Sequence, residues 1–368
     1  MRSDGGSPVA LAGALLSGAL RLRRGENLIV ESWNHCLPYA TACVQEARRL
    51  GAHPLLLLED EETYWASLDQ QPNGRWSRPG AHEWAALARA DAYVFFPGPA
   101  DRPRYRALPA DARNELTGYN GDWYRRARTA HVRGVRSILG YASDAQAIRW
   151  GVSGPEWRRS LILGSIEADL AGIGKAAKAV AAKLQKGSSL RITAPNGTDV
   201  RLTLRRRRAS IDDGMVTPDD LAAGRNMASA PPGTVAVAAD ERTAEGMVIA
   251  NRPSYLPFGK VEGMEWEFAH GRLTQYRAAD GHREFEETYQ AAPKGRDVGS
   301  IFSIGLNPKL GPGVPQVEDQ EAGAVTIGIG GNQSYGGHNH CPFLAWIVVG
   351  EATVAIDEKP VCDRGQLL

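Results

Sequence analysis

A parallel α/β domain followed by a strand-rich α+β domain is the fold class predicted for this chain of 368 residues. Three observations predict it. Up to about Gly187, short β-rich apolar runs alternate with helical patterns, the rhythm of a parallel sheet with crossover helices. A long stretch dominated by Ala and Lys in its second half then runs to Gly187. After Ser189 the pattern becomes short strands separated by Gly, Pro and Asp, which suits antiparallel sheets.

In order, the first half offers the strands NLIVES (27–32), PLLLLE (54–59), AYVFFPG (92–98) and VRSILGY (135–141). Their near-continuous apolar character expects cover on both sheet faces. Helices are expected from about Pro38 to Leu50, around Glu83 to Arg89, and from Asp111 to Arg128 with a break near Gly118 to Gly121. Ser153-Gly154-Pro155 is a helix start signal, so Glu156 to Lys186 reads as a connecting helix. The second half offers RITAP, DVRLTLR, TVAVAA, GMVIAN, EWEFAHGRLTQY, SIFSIGL, AVTIGIG and WIVVGEATVAID. No fixed-period repeat or long low-complexity linker interrupts them. The simplest division is 1–187 and 188–368.

With 43 Lys+Arg against 42 Asp+Glu, and 43% hydrophobic residues, the chain has a folded protein's composition and no bulk charge to draw nucleic acid or an anionic membrane. Its four cysteines include no C-x-x-C pair and are too few for a disulfide framework. The apolar stretch Val9 to Leu20 lacks the flanks of a signal peptide, and no run reaches the length of a membrane span. The expected location is the cytoplasm.

The common chemical signatures are absent. The first strand leads into SWNHCLPY, which lacks the glycines of a dinucleotide site, and there is no Walker loop, H-E-x-x-H or G-x-S-x-G elbow. Gly328-Ile329-Gly330-Gly331 reads as a tight turn. Arg205 to Arg208 could grip anionic oxygens in pairs or form a solvated strand edge. His35-Cys36 follows the first strand, where open α/β sheets bind ligands, yet a cysteine there is more often packing. Asp122-Trp123-Tyr124 and Trp266-Glu267-Phe268 could line a cleft, with core packing the default.

The order of landmarks in the second half carries a resemblance. Thr193 to Asp199 (TAPNGTD) is followed by Asp213-Gly214, Asn226 to Val237 (NMASAPPGTVAV), Ala244-Glu245-Gly246 and Glu267 to Arg272 (EFAHGR). Then come Ser303 to Pro308 (SIGLNP), Gly323 to Ile327 (GAVTI), Gly330-Gly331-Asn332, Gly336-Gly337 and Val354 to Asp357 (VAID). In this order they resemble the thermophilic aminopeptidase family, the aminopeptidase T and S type metallopeptidases, with their iron-dependent dihydroxypyridine dioxygenase relatives. The C-terminal domain is therefore expected to be aminopeptidase-like.

The resemblance implies a metal held by carboxylates and imidazoles, but the implied ligand positions carry other residues. The glutamate of the family's G-E-V-F segment falls on Thr234, and the ligand before its G-I-G-x-N-P element falls on Ile301. The histidine of its V-H-I strand falls on Thr326, and its terminal H-x-D pair, counted without gaps from Gly336-Gly337, falls on Leu344 and Trp346. The inherited metal site is therefore expected to be lost, with no cofactor. An alternative zinc or iron site could be rebuilt on His338 and His340, the only close histidine pair, with Glu318, Asp319 or Cys341 as third ligand.

The reading that follows is a non-hydrolytic protein whose former active site binds a peptide or small molecule. Thr234, Ile301, Thr326, Tyr335, His338, His340, Leu344 and Trp346 would form the ligand site, and Arg225 would be available for a carboxylate. It looks similar to the peptide-binding proteins of crocagin-type ribosomal-peptide pathways, where such relatives hold a precursor for other enzymes. The alternatives are a metalloenzyme with a rebuilt site, aminopeptidase or ring-cleaving dioxygenase, and a metal-free cyclase or isomerase in which Thr234, Tyr335 or His338 moves a proton. The resemblance also implies a homodimer.

Overall fold

The computed structural model describes residues 7–368. It divides into two compact units: the described chain up to Leu170 together with Gly214–Pro231, and Ala171–Asp213 together with Pro232–Leu368. The division falls away from residue 187 because the expected connecting helix is two helices, Gly154–Ile166 and Leu170–Lys186.

The first unit holds a five-stranded parallel sheet in the order His53–Glu59, Asn27–Trp33, Ala92–Phe95, Arg133–Ser137, Met227–Ala230. Leu28, Ile29, Val30, Tyr93, Val94 and Val135 are all buried, as a sheet covered on both faces requires. Local signals set the crossovers: Asp60 and Ser143 cap helices Glu61–Gln70 and Asp144–Trp150, and a proline opens Leu37–Arg49. The helical break expected near Gly118 separates Ala110–Thr117 from Asn120–Thr129. The apolar stretch near the start packs into this unit, with Leu11, Leu15, Leu16 and Leu20 buried. Among the described residues no helix is long and apolar enough to cross a membrane.

The second unit is built from antiparallel sheets, as expected. An eight-stranded sheet runs from Arg272–Arg277 through Glu265–Ala269, Glu245–Ile249, Asp199–Thr203, Ser189–Thr193, Thr353–Ile356 and Lys359–Asp363 to Gln366–Leu367. A five-stranded sheet has the order Leu344–Val349, Val325–Gly330, Gly299–Gly305, Thr234–Ala238, Ser210–Asp212. A helix not foreseen from sequence, His282–Ala291, sets Phe285 and Tyr289 among Trp266, Tyr276 and Phe343. Gly323 shows why one landmark needs glycine: φ is +80°, and a Cβ would lie 1.7 Å from the Gly365 carbonyl oxygen.

Candidate functional site

Side chains alternate between the two faces of a strand, and residues paired across a sheet share a face. In the five-stranded sheet, Thr326 pairs with Ser303 and Val348, and Ser303 pairs with Ala236. One step along, Ile301 pairs with Ala238 and Gly328, and Gly328 pairs with Trp346. Leu344 pairs with Gly330, while Thr234 pairs with Gly305 and Asp212. Thr234, Ile301, Thr326, Leu344 and Trp346 therefore share one face, although they come from four strands. The opposite face is apolar, with Val325, Ile327 and Ile329 buried.

Two carboxyls that sequence reading considered only as spare metal ligands belong to this site. The Trp346 indole donates to Glu318 Oε1 at 3.2 Å, and the Tyr255 backbone N–H donates to the same oxygen at 3.0 Å. Glu318 is 1% exposed, and neither its second oxygen nor Thr326 Oγ1 has a partner. Burial, and next the charge of Asp319, push Glu318 up to about 7; burial also pushes Asp319 up to about 6. Tyr335, closing the turn Gln333–Tyr335, is raised by burial and by the nearby Asp319 charge. The face thus sets half-buried Leu344 and Trp346 beside a buried acid whose neutral form is favoured. No sequence motif marks the bond between Glu318 and Trp346.

His338 and His340 lie elsewhere, in an irregular loop rather than on a strand, and both are exposed. Buried Asn332 organises that loop: its Oδ1 accepts from Asn339 N at 2.8 Å, and its Nδ2 donates to Ser300 Oγ at 2.7 Å and Glu241 Oε1 at 3.0 Å. The His338 backbone N–H donates to Glu241 at 2.9 Å, while His340 approaches only Gln333, at 3.5 Å. The H-x-H spacing serves a hydrogen-bonded turn.

Residues 168–301 match the thermophilic metalloprotease (M29) family. Among solved structures, AmpT from Thermus thermophilus is similar at 18% identity and a TM-score of 0.68, covering 98% of each chain. The 2,5-dihydroxypyridine dioxygenase from Pseudomonas putida KT2440 is similar at 14% identity and a TM-score of 0.65, covering 99% of this chain and 98% of that one. The chain has the aminopeptidase-like fold. No curated protein matches its sequence.

On this aminopeptidase-like fold, the five strand positions themselves offer a divalent metal neither imidazole nor carboxylate. Ile301 and Leu344 offer no donor atom, the Trp346 N–H is itself a hydrogen-bond donor, and the threonines offer neutral hydroxyls where imidazole or carboxylate is needed. Among the described residues, no group of three or more His, Cys, Asp or Glu side chains is placed to hold a metal ion. The alternative site on His338 and His340 finds no third ligand there.

Three further candidates are engaged elsewhere. Arg225 lies in the first unit and pairs with Asp220, so its guanidinium is not free for a ligand carboxylate. In the arginine run, Arg205 pairs with Asp240, and Arg207 reaches Glu241 at 2.8 Å and the Ala239 carbonyl at 2.7 Å. His35 and Cys36 line a cavity of about 400 Å³, but His35 Nε2 lies 2.8 Å from the Gly140 carbonyl and its Nδ1 has no partner, so no base faces the thiol. Burial pushes Cys36 and Cys43 up to about 12 and Cys362 to about 11. All four cysteines are free and buried. The native protein should therefore resist iodoacetamide at pH 7, and the unfolded chain should take up four equivalents by mass. Rapid native labelling of Cys36 would restore it as a nucleophile.

Proposed function

We propose that this chain is a metal-free, non-hydrolytic relative of the thermophilic metallo-aminopeptidases that holds a peptide, in the manner of a precursor-binding protein of natural-product biosynthesis. One observation carries the reading. The five positions where the resemblance expects metal ligands share a sheet face, and they carry two threonines and three apolar side chains. An extended peptide suits such a face: its side chains can pack on the half-buried Leu344 and Trp346, beside the half-buried Thr234 hydroxyl. The resemblance adds a homodimer as the working assembly, and the cysteine usage adds the cytoplasm as its location.

The test joins metal analysis to binding. Protein purified without a metal-binding tag should contain far less than one zinc, iron or manganese per chain after exposure to each ion. Its affinity for a candidate precursor peptide should survive EDTA and fall at least tenfold in Trp346→Ala, as expected for loss of an aromatic anchor. A stoichiometric metal that disappears in the His338→Ala, His340→Ala double variant would overturn the proposal in favour of a rebuilt metalloenzyme.

A further inference from the structure

A cavity of about 340 Å³ in the first unit opens over one face of the parallel sheet. Strand pairing puts Ile29, Glu31 and Trp33 on that face, beside Glu59 on one neighbouring strand and Tyr93 and Phe95 on the other. Tyr64, Trp76, Tyr119 and Trp123 supply further walls. The strand order reverses between Asn27–Trp33 and Ala92–Phe95, and the cavity sits at the carboxyl ends of those strands, where open α/β sheets leave a crevice for ligands.

The rings are arranged as a cage. Trp33 meets Tyr64 edge to face at 4.9 Å, Tyr64 meets Trp76 at 5.2 Å, and Tyr93 meets Trp123 at 4.7 Å. Gly98 permits the Trp33 position, since a Cβ there would lie 2.3 Å from the indole. The cavity already holds one organic cation: the Arg102 guanidinium stands 4.9 Å from the Tyr141 ring centre and 5.5 Å from that of Tyr105, and donates to the Gly98 carbonyl at 3.0 Å. Two acidic side chains, Glu31 and Glu59, line the same cavity, and no donor among the described residues hydrogen-bonds Glu31. The cavity thus sets two acidic side chains, one of them without a hydrogen-bond donor, among aromatic faces.

We propose that this cavity binds a monocationic organic ligand, a substituted ammonium, held between the aromatic rings and the Glu31 and Glu59 carboxylates. Aromatic faces attract such cations through their quadrupoles, and a carboxylate in a poorly hydrated cavity adds direct charge complementarity. This site lies wholly within the first unit and stands independently of the peptide-binding reading. Without a ligand, burial and then the charges of Glu59 and Glu83 push Glu31 up to about 8. Facing it are also the phenols of Tyr64, Tyr105 and Tyr119, the Arg102 guanidinium, and Arg136 in the same row of the sheet. Binding a cation should therefore expel the Glu31 proton, and affinity should rise with pH until about 8 and then level.

The experiment titrates the whole protein with choline and with its neutral isostere 3,3-dimethylbutan-1-ol, followed by calorimetry and by the fluorescence of the lining tryptophans. The expected result is saturable choline binding at least tenfold tighter than that of the alcohol, strengthening from pH 6 to 8. Glu31→Gln, which keeps the side chain's shape, should erase the preference for the cation. Glu59→Gln, which also keeps the side chain's shape, should weaken choline several-fold. Equal affinity for both probes would overturn the proposal in favour of a neutral apolar cavity. Absence of saturable choline binding up to about 10 mM, or an unchanged preference in both variants, would overturn it outright.

Discussion

Replacing Arg207 with Met is expected to lower the unfolding free energy by about 2 kcal/mol at pH 7, although the residue belongs to what reads as a solvated run of arginines. Its side chain is 12% exposed and that of its partner Glu241 20%, so the pair cannot simply exchange protein contacts for water. Glu241 also accepts from Asn332 and the His338 N–H, and so ties the arginine to the loop that follows the strand Val325–Gly330. Burial alone would raise its carboxyl, but Arg207 and the two further donors outweigh that and hold it at about 2. A depressed acid stabilises the fold above its ordinary value near 4.5 and ceases to do so as pH falls through about 2. The deficit of Arg207→Met should accordingly be greatest above pH 5 and shrink towards pH 2 in urea titrations. A deficit independent of pH would show that Arg207 acts through packing alone.

Glu318→Gln should move stability the other way. The wild-type carboxyl is buried beside Asp319 and raised to about 7, so its neutral form fits the fold. The stabilisation from a raised acid is complete below about 4.5 and is lost as pH rises through 7. Glutamine preserves an acceptor for the Trp346 indole and the Tyr255 N–H without ever ionising. The variant should match the wild type near pH 4 and exceed it by about 2 kcal/mol at pH 8. A difference that does not grow across that range would mean that Glu318 ionises freely in the native state.

The fold was largely legible because its signals are local. Apolar runs such as AYVFFPG and AVTIGIG announce their strands, and glycines near 118–121 announce a helix break. The candidate face was partly legible as well. The landmarks of the resemblance selected Thr234, Ile301, Thr326, Leu344 and Trp346, and strand register puts them on one face. What escaped depends on partners distant in the chain. Glu318 meets the Trp346 indole across 28 residues, and the short strand Met227–Ala230 gives no hint that it pairs with Arg133–Ser137. A run of arginines looks the same in sequence whether each faces water or a carboxylate. His338 and His340 have the spacing of a strand, yet the neighbouring glycines and the Asn332 and Asn339 amides turn them into a loop.

The return of Gly214–Pro231 to the first unit has a consequence for how the protein is made. On the ribosome, the parallel sheet must wait for its last strand while Ser189–Thr193, Asp199–Thr203 and Ser210–Asp212 of the other unit are already being synthesised. Throughout that interval Arg133–Ser137 is an open edge, able to pair with another nascent chain. A fragment cut after residue 187 would carry that open edge permanently. A soluble N-terminal fragment has to include 214–231, either through a short linker that bypasses the intervening strands or as a co-expressed peptide.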